Sequence, residues 1–398
     1  MMKKIFSLLS ILISAFTTQL HAQADFWNSP DAYLGQKQPG SIPEIFAPGI
    51  LADTPYFSAS RVAFTADGKE IYYCYNKSWA NNEYLKIKYF KYENGKWNGP
   101  FTVNEHYNGP TFSVDGKTLY FNGHGGLGFQ SHRTAGGWSE PEAFFPDYIM
   151  YDCVPVNSGI IYTASNQYIG AEQRPRNVDV STITITGKDT VVKTLGVPVN
   201  APGWNGDFFV ARDESFLILS AKEDKSNNCE LYISYRKPDK TWTNPKSLGA
   251  NINNGVSHRY GQYVTADKKF LFYCYGHDEK DCAVYWVRFD RIYDSLKHTN
   301  FEPYVYDSLK NQSVAVGKTF SIQVPAKTFV DDDGNNTLVY TAQLADGGAL
   351  PTWIHFDPAK KIISGNATAA GNYDITIIVT DKANAQASST LTLTCTQN

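Results

Sequence analysis

Short apolar runs separated by polar turns recur along the chain, and the clearest copy is FSVDGKTLYF at residues 112–121. Its two apolar runs are joined by Asp115-Gly116, a pair that favours a tight hairpin turn in which both residues take positive φ. One hairpin cannot bury its own apolar face, whereas several hairpins stacked around an axis can. The pattern therefore predicts a repeat architecture built from hairpins.

Four weaker copies of this hairpin lie before and after it. Each copy continues into two more apolar stretches, so that one unit reads strand, tight turn, strand, loop, strand, polar turn, strand. Equivalent turns are 43 to 55 residues apart, which is the length of a four-stranded propeller blade. We therefore expect an all-β chain with a five-bladed β-propeller; a sixth blade would need a further repeat hidden in the long third unit.

The fifth unit lacks its fourth strand, and the beginning of the chain offers a replacement. Residues 41–51 (SIPEIFAPGIL) predict one strand that has no hairpin partner of its own. Pairing it with the fifth unit would close the ring and remove the free sheet edges that favour aggregation. Residues 25–40 are polar and rich in Pro and Gly, so we expect them to form an extended lead-in.

The phrases FSVDGKTLYF, FTADGKEIYY and VTADKKFLFY resemble the PD40 (TolB-type, WD40-like) propeller repeat of bacterial exported proteins. The resemblance covers residues 41–304 and implies the propeller architecture, but it specifies hardly any chemistry. The turn residues Asp67, Asp115, Asp213 and Asp267 are expected to bond their local backbone. No catalytic residue is therefore assigned.

After residues 305–310, which we expect to be a linker, the pattern changes. Residues 311–398 contain alternating strands at short, even spacing, as in a seven-stranded sandwich. The phrases FVDDDGNNTLVYTA, LADGGALPTWIHFD and GNYDITIIVTDKANA resemble the dystroglycan-type cadherin-like domain. This resemblance implies an Ig-fold module over the whole segment.

Composition agrees with a β-rich chain and excludes one class of partner. The 398 residues carry a net charge of only −3, which implies no nucleic-acid partner. Aromatic residues make up 14% of the chain, and they favour strands over helices. We expect a monomer, although nothing in the sequence fixes the oligomeric state.

The first residues have the layout of a secretory signal peptide, predicted over residues 1–24. Lys3 and Lys4 precede an apolar run at residues 5–16, and Ala22-Gln23-Ala24 supplies small residues for cleavage. The apolar run is too short to serve comfortably as a permanent membrane-spanning helix. We therefore expect export to the periplasm, the outer-membrane surface or the medium, with no transmembrane helix in the mature chain and an association with the envelope left open.

The first residues of the innermost strands would face the mouth of the propeller channel, where ligands usually bind. Arg, Tyr, His and carboxylate groups there could recognise a polar or acidic glycan, or a protein, through charge-assisted bonds and aromatic stacking. The alternative is that these groups simply satisfy one another. The predicted ligand-binding residues are Arg61, Tyr107, Asn108, Asp152, Asn205, Asp207, His258, Arg259 and Tyr260.

Two functions follow from this set. The favoured one is an exported, non-enzymatic binding or scaffold protein of the cell envelope. The alternative is a carbohydrate-active enzyme, a glycoside hydrolase or polysaccharide lyase, in which Asp152 and Asp207 would work as a carboxylate pair in the channel. Five-bladed glycosidases place three acidic residues in the channel, and only two are found here.

The C-terminal segment contains one candidate metal site and no other candidate cofactor site. Asp331 and Asp333 lie in a short turn rich in oxygen ligands, the type that Ca²⁺ prefers. The cadherin-like resemblance adds Asp346 and Asp381 as further ligands. An acidic turn that stays solvated is the alternative, because the neighbouring domain that usually completes such a site is missing.

Overall fold

The computed structural model describes residues 26–51, 61–76, 85–123, 127–145, 150–165, 179–186, 189–200, 204–222, 228–277 and 281–397. The predicted signal peptide lies outside these residues. The chain divides into a larger unit, formed by residues 1–196, 200–236 and 247–297, and a smaller unit, formed by residues 197–199, 237–246 and 298–398. In the described part of the chain, no helix is long and apolar enough to cross a membrane.

The described residues of the larger unit form five antiparallel sheets, which we call blades 1 to 5. Blade 1 contains β2 (Val62–Phe64), β3 (Glu70–Tyr75), β4 (Lys86–Glu93) and β5 (Lys96–Glu105). Blade 2 contains β6 (Asn108–Phe112), β7 (Thr118–Asn122), β8 (Gly128–Thr134), β9 (Gly137–Trp138) and β10 (Glu142–Ala143). Blade 3 contains β11 (Tyr151–Pro155), β12 (Ile161–Ser165), β13 (Asp179–Thr186) and β14 (Asp189–Thr194). Blade 4 contains β15 (Trp204–Val210), β16 (Phe216–Lys222), β17 (Glu230–Tyr235) and β18 (Lys246–Ser247).

Blade 5 joins the beginning of the chain to the last repeat. Its strands are β19 (His258–Val264), β20 (Phe270–Gly276), β21 (Cys282–Arg288) and, outermost, β1 (Glu44–Ile45). The inner strands β2, β6, β11, β15 and β19 are neighbours in that order, and β19 is also a neighbour of β2. The ring is therefore closed, and the predicted five-bladed propeller with its shared closing blade is confirmed.

The repeated turns hold their shape through the aspartate side chain. Oδ1 of Asp115 accepts hydrogen bonds from the amide of Lys117 (3.1 Å) and from Oγ of Ser113 (2.6 Å), and Asp67 does the same with Lys69 and Thr65. Among the two residues of this turn, positive φ is confined to the glycine, with +69° at Gly116. The prediction of positive φ at both residues is therefore wrong, because the side-chain bonds keep the aspartate in an ordinary conformation.

Residues 26–35, called the N-terminal strap below, differ from the predicted extended lead-in. They include a helical turn, α1 (Ala32–Gly35), in which Tyr33 and Leu34 have positive φ. Trp27 and Tyr33 are buried in the core shared by blades 1 and 5. The aromatic side chains of this segment thus override its polar, glycine-rich composition. A longer helix, α2 (Asp290–Lys297), follows the last propeller strand and was not predicted.

The smaller unit is a β-sandwich of two sheets. One sheet has the order β23 (Gln312–Ala315), β30 (Gln386–Thr396), β29 (Gly371–Thr380) and β26 (Val339–Leu344). The other has the order β24 (Thr319–Gln323), β28 (Ile362–Asn366) and β27 (Ile354–Asp357). A short ladder joins β22 (Tyr304–Val305) to β25 (Phe329–Val330), and a 3₁₀ turn covers Asn335–Thr337.

The sandwich begins earlier than the sequence predicts. Val305 pairs with Phe329 in the short ladder, and Leu309 is buried in the sandwich core beside residues such as Ile377 and Leu391. Residues 305–310 are therefore part of the sandwich unit and do not form a separate linker. Their two apolar side chains, packed on the core, account for the difference.

Candidate functional site at the centre of the propeller

One position of the inner strand recurs in all five blades. The last inner-strand pairs are Phe64–Ile71, Phe112–Leu119, Pro155–Ile161, Val210–Leu217 and Val264–Leu271. Counting back three residues from the inner member of each pair gives Arg61, Gly109, Asp152, Asp207 and Gly261. The ring of equivalent positions thus holds one cation, two carboxylates and two glycines.

Arg61 is the hub of this ring. Its Nη2 donates to Oδ2 of Asp152 at 2.6 Å and to the carbonyl oxygen of Phe208 at 2.5 Å, while Nη1 donates to Oγ1 of Thr111 at 3.1 Å. A single side chain of blade 1 therefore contacts blades 2, 3 and 4. Arg61 is only 2% exposed and Asp152 only 3%.

The second carboxylate has its own set of donors. Oδ1 of Asp207 accepts from the amide of Gly261 at 3.3 Å and from the Tyr151 hydroxyl at 3.5 Å. The Gln262 side chain donates to the carbonyl oxygen of Asp207 at 3.5 Å. We call Arg61, Asp152, Asp207 and Tyr151 the central cluster.

Local backbone geometry brings the cluster to the centre. In blades 2 to 5 the inner strand contains a register shift next to the ring position, and Asp152 itself has a φ of +55°. A Cβ added at Gly109 would lie 3.0 Å from Nδ2 of Asn122 and 3.5 Å from Oδ1 of Asp152. The glycine of blade 2 therefore makes room for the Asn122 side chain of the same blade and takes a φ of +63° that other residues rarely adopt.

Burial and charge shift the protonation of the cluster. Burial raises the pKa of Asp152 to about 7, the Arg61 guanidinium opposes this rise, and Asp207 adds to it. Burial also raises the pKa of Asp207, again against the effect of Arg61. The Asp207 carboxylate, followed by burial, raises the pKa of the Tyr151 hydroxyl. Asp152 and Asp207 are both buried beside a single guanidinium, so the pair tends to keep one proton.

Three of the predicted ligand-binding residues, Arg61, Asp152 and Asp207, come together in this cluster. Arg259 does not join them: it is fully buried, and its guanidinium donates to carbonyl oxygens, including that of Ile252 at 2.7 Å. Tyr260 is 7% exposed and its hydroxyl lies 3.2 Å from Sγ of Cys282. Arg259 therefore holds the segment before β19 and the start of β17 in blade 4, through the carbonyl oxygens of Ile252 and Cys229. Tyr260 makes its contact within blade 5.

The remaining predicted residues lie at or near the starts of inner strands. Half-buried His258 begins β19, and its ring lies 4.8 Å from that of Tyr260. Half-buried Asn108 begins β6, and Tyr107 before it packs its ring on Phe121 at 4.9 Å. Asn205 belongs to β15, but its side chain lies outside the described residues.

Sequence reasoning missed Tyr151, Thr111 and Gln262 as parts of the site. Tyr151 and Gln262 each stand next to a ring position, and Thr111 lies two residues after one. The signal was present in the aligned repeats, since each of these polar residues lies one or two positions from the ring position of its own unit. The alignment could not predict which of these side chains contact another blade.

The predicted calcium ligands of the sandwich are already engaged by protein donors. Oδ1 of Asp331 accepts from the amide of Asp333 at 2.8 Å, and Oδ2 of Asp333 accepts from the amide of Phe301 at 2.6 Å. Asp381 binds Nδ2 of Asn300 at 2.7 Å, whereas Asp346 accepts from the amide of Gly348 in a separate turn.

Charge repulsion within this turn is visible at Asp331. Burial raises its pKa, and the carboxylates of Asp333, Asp381 and Asp332 add to the rise. Asp332 itself is paired with Nζ of Lys237 at 2.8 Å within the same unit. Among the described residues, no three acidic, His or Cys side chains are arranged to hold a metal ion.

Comparison with known proteins identifies the second unit. Residues 302–396 match the family described as "Putative Ig domain". The C-terminal unit is therefore an Ig-like domain, and its cadherin-like character remains a prediction. No curated protein matches the chain.

Several solved structures are similar to parts of the chain. The extracellular domain of a "putative hybrid two component system" from B. thetaiotaomicron is 10% identical, with coverage of 85% of this chain and 44% of that one, at a TM-score of 0.35. TolB from Acinetobacter baumannii is 16% identical, with coverage of 57% and 53%, at a TM-score of 0.35. A "putative alpha-galactosidase" from Bacteroides fragilis is 19% identical, with coverage of 24% and 18%, at a TM-score of 0.19. The chain thus spans less than two thirds of each of these proteins.

Proposed function

We propose that this chain is an exported binding or scaffold protein of the cell envelope, whose propeller binds a glycan without converting it. The observation that carries the proposal is that the charged side chains of the central cluster are buried and bond within the protein. Arg61, Asp152 and Asp207 are all less than 5% exposed and bond to one another or to the backbone. Such a cluster rigidifies the centre of the ring and offers no exposed nucleophile or acid to a substrate.

The ligand would bind at the mouth above the cluster. This is supported by half-buried Asn108 and His258, which begin the inner strands of two blades. They supply an amide and an imidazole, groups that hydrogen-bond to sugar hydroxyls.

The test is a binding screen of the purified mature chain against envelope and plant polysaccharides, followed by calorimetry on any hit. His258→Ala and Asn108→Ala should each weaken binding at least tenfold, whereas Phe101→Ala on the exposed face of β5 should not. Undiminished affinity in both mouth variants would place the ligand elsewhere. Binding only to a protein from the screen would replace the glycan with a protein ligand.

Glycan cleavage is the second candidate, and one observation favours it. Asp152 and Asp207 form a buried carboxylate pair with raised pKa values, as general acids often are. Release of reducing ends or unsaturated products, abolished in Asp152→Asn with the fold intact, would establish an enzyme. Intact polysaccharide after long incubation with the wild-type chain would rule cleavage out for the glycans tested.

Calcium binding by the sandwich is a further part of the proposal, with Asp331, Asp333 and Asp381 as the ligands. These three side chains would have to rearrange around the ion, because the described residues do not hold three such groups in a metal-binding arrangement. Calcium binding is supported by the buried Oδ2 of Asp331, which has no hydrogen-bond partner among the described residues. Calorimetry with CaCl₂ should detect heat that is lost in Asp331→Asn and kept in Asp346→Asn, which alters the separate turn. Equal heats in the wild type and Asp331→Asn would remove the claim.

Export is proposed from the layout of residues 1–24. We expect the mature chain in the periplasm or medium to begin at Asp25, as measured by intact mass. A chain that retains Met1 in the envelope fraction would contradict cleavage at this place.

A further inference from the structure

A small chamber lies inside the propeller, beside the central cluster. Residues of all five inner strands line it, and its volume is about 30 Å³. The wall is mostly apolar, with Phe64, Pro110, Val154, Phe209 and Tyr263. A space of this size holds roughly one water molecule or one atomic ion.

Two arginines of the lining stand at opposite ends of their inner strands. Arg61 comes directly before β2 and reaches across the ring to blades 2, 3 and 4. Arg212 follows β15 and also crosses the ring, since Nη1 donates to the carbonyl oxygen of Ser113 at 3.1 Å and Nη2 to that of Phe112 at 3.3 Å. One apolar space is thus bracketed by two guanidinium groups.

The two arginines differ in their partners, because Arg61 pairs with the Asp152 carboxylate and Arg212 does not pair with any carboxylate of the described residues. Among the described residues, Arg212 forms no ion pair with a carboxylate within 4.0 Å, and its hydrogen-bond acceptors are neutral carbonyl groups. Arg212 is half-buried, and this partial burial lowers its pKa, the direction expected for a cation with reduced access to water. Nε of Arg61 is buried and also lacks a hydrogen-bond partner in the described part of the chain. A buried donor without an acceptor and a cation without a counter-charge both cost free energy.

We propose that the chamber binds one halide-sized anion, such as chloride, between Arg61 and Arg212. The anion would accept from Nε of Arg61, which has no acceptor among the described residues, and would neutralise Arg212, while the small volume excludes larger anions such as sulfate. It would act as a structural ion of the ring. This site is separate from the proposed glycan mouth, so either can fail without the other.

The first test measures melting temperature of the mature chain in sodium chloride, sodium bromide and sodium gluconate at equal ionic strength. We expect the halides to raise the melting temperature by about 2–4 °C relative to gluconate, because a ligand that binds only the folded state stabilises it. Arg212→Met should lose this difference. Arg236→Met should keep it, because Arg236 bonds to Tyr162 and does not line the chamber. Equal melting in all three salts, or an undiminished halide effect in Arg212→Met, would overturn the proposal.

A second test does not depend on the folding of any variant. Crystals of the wild-type chain grown in bromide should show one anomalous peak in the chamber, within hydrogen-bond distance of Arg61 Nε or of the Arg212 guanidinium. An ordered water without anomalous signal at this place would show that water fills the chamber, and the anion site would be wrong.

Discussion

At the scale of single residues, the propeller depends on one cation that serves two carboxylates. Arg61 pairs directly with Asp152, and it also opposes the rise in the pKa of Asp207 that burial causes. Because all three side chains are withdrawn from water, their energies depend on each other far more than surface charges do. Loss of the arginine would leave both carboxylates buried without a cation.

At pH 8, above the raised pKa of Asp152, replacement of Arg61 by methionine should therefore destabilise the propeller by about 3–5 kcal/mol, the cost of breaking a buried ion pair from one side. Urea unfolding followed by tryptophan fluorescence measures this change. The matched control is Lys86→Met, which removes the exposed pair between Lys86 and Glu105 and should unfold like the wild type. Similar midpoints for Arg61→Met and Lys86→Met would show that the buried pair does not stabilise the fold.

The raised pKa of Asp152 also predicts how stability depends on pH. The folded chain keeps the proton up to about pH 7, whereas the unfolded chain releases it near the ordinary carboxyl value of 3.8. Between these values the folded state binds more protons, so the free energy of unfolding falls as pH rises. The slope from this group is at most about 1.4 kcal/mol per pH unit. The loss of stability caused by this group is largely complete at pH 7.

Asp152→Asn removes this titration while it keeps the shape of the side chain. The difference in unfolding free energy between wild type and variant should therefore shift in favour of the variant from pH 4 to pH 7. Chemical unfolding at four pH values in this range measures it. Parallel curves for the two chains would mean that Asp152 is ionised in the folded state throughout.

At the scale of elements, the N-terminal strap holds blades 1 and 5 together. The ring of Tyr33 lies 5.9 Å from Phe64 of blade 1 and 5.1 Å from Phe270 of blade 5. Trp27 covers the first repeated turn so closely that a Cβ at Gly68 would come within 2.8 Å of its ring. Nε1 of Trp27 also donates to the carbonyl oxygen of Ala66 at 3.2 Å. The strap is therefore an integral part of the core.

Substitutions of Tyr33 can distinguish the contribution of packing from that of hydrogen bonding in the strap. Its side chain is 1% exposed, and its hydroxyl has no hydrogen-bond partner in the described residues. Tyr33→Ala should cost about 3–5 kcal/mol through the cavity it leaves, whereas Tyr33→Phe should be neutral or slightly stabilising. Thermal and urea unfolding distinguish the two. A large loss in Tyr33→Phe would reveal a bonded hydroxyl and contradict this description.

At the scale of the whole propeller, the sequence predicts the architecture because similar turns recur every 43 to 55 residues. These turns align the units, and counting back by the same number of residues in each unit places Arg61, Asp152 and Asp207 at one ring position. It cannot predict that Arg259 points away from them, because the register shift between Tyr260 and Tyr263 changes which face a side chain takes. Nor can it predict that the cluster is buried, since that depends on side chains from neighbouring blades. The packed strap was not predicted, because the polar composition of the segment suggested an extended chain although its three aromatic side chains are buried.

Ring closure is the property that most distinguishes a propeller from a stack of hairpins, and two segments provide it here. Strand β1 pairs with β21, with Glu44 opposite Trp286 and Ile45 opposite Tyr285. The strap contributes through its side chains, which pack in the core between blades 1 and 5. A chain beginning at residue 36 lacks only the strap, and one beginning at residue 48 also lacks β1. We expect the first to fold with a lowered melting temperature.

The second truncation should instead aggregate, because β21 then becomes an open sheet edge beside the exposed core around Trp286. Gel filtration and circular dichroism of both chains measure the outcome. A monomeric chain from residue 48 with unchanged melting would mean that the five blades hold together through their inner strands alone. In that case β1 would merely cover the edge of blade 5, and the contacts of the central cluster across the ring would be sufficient to keep it closed.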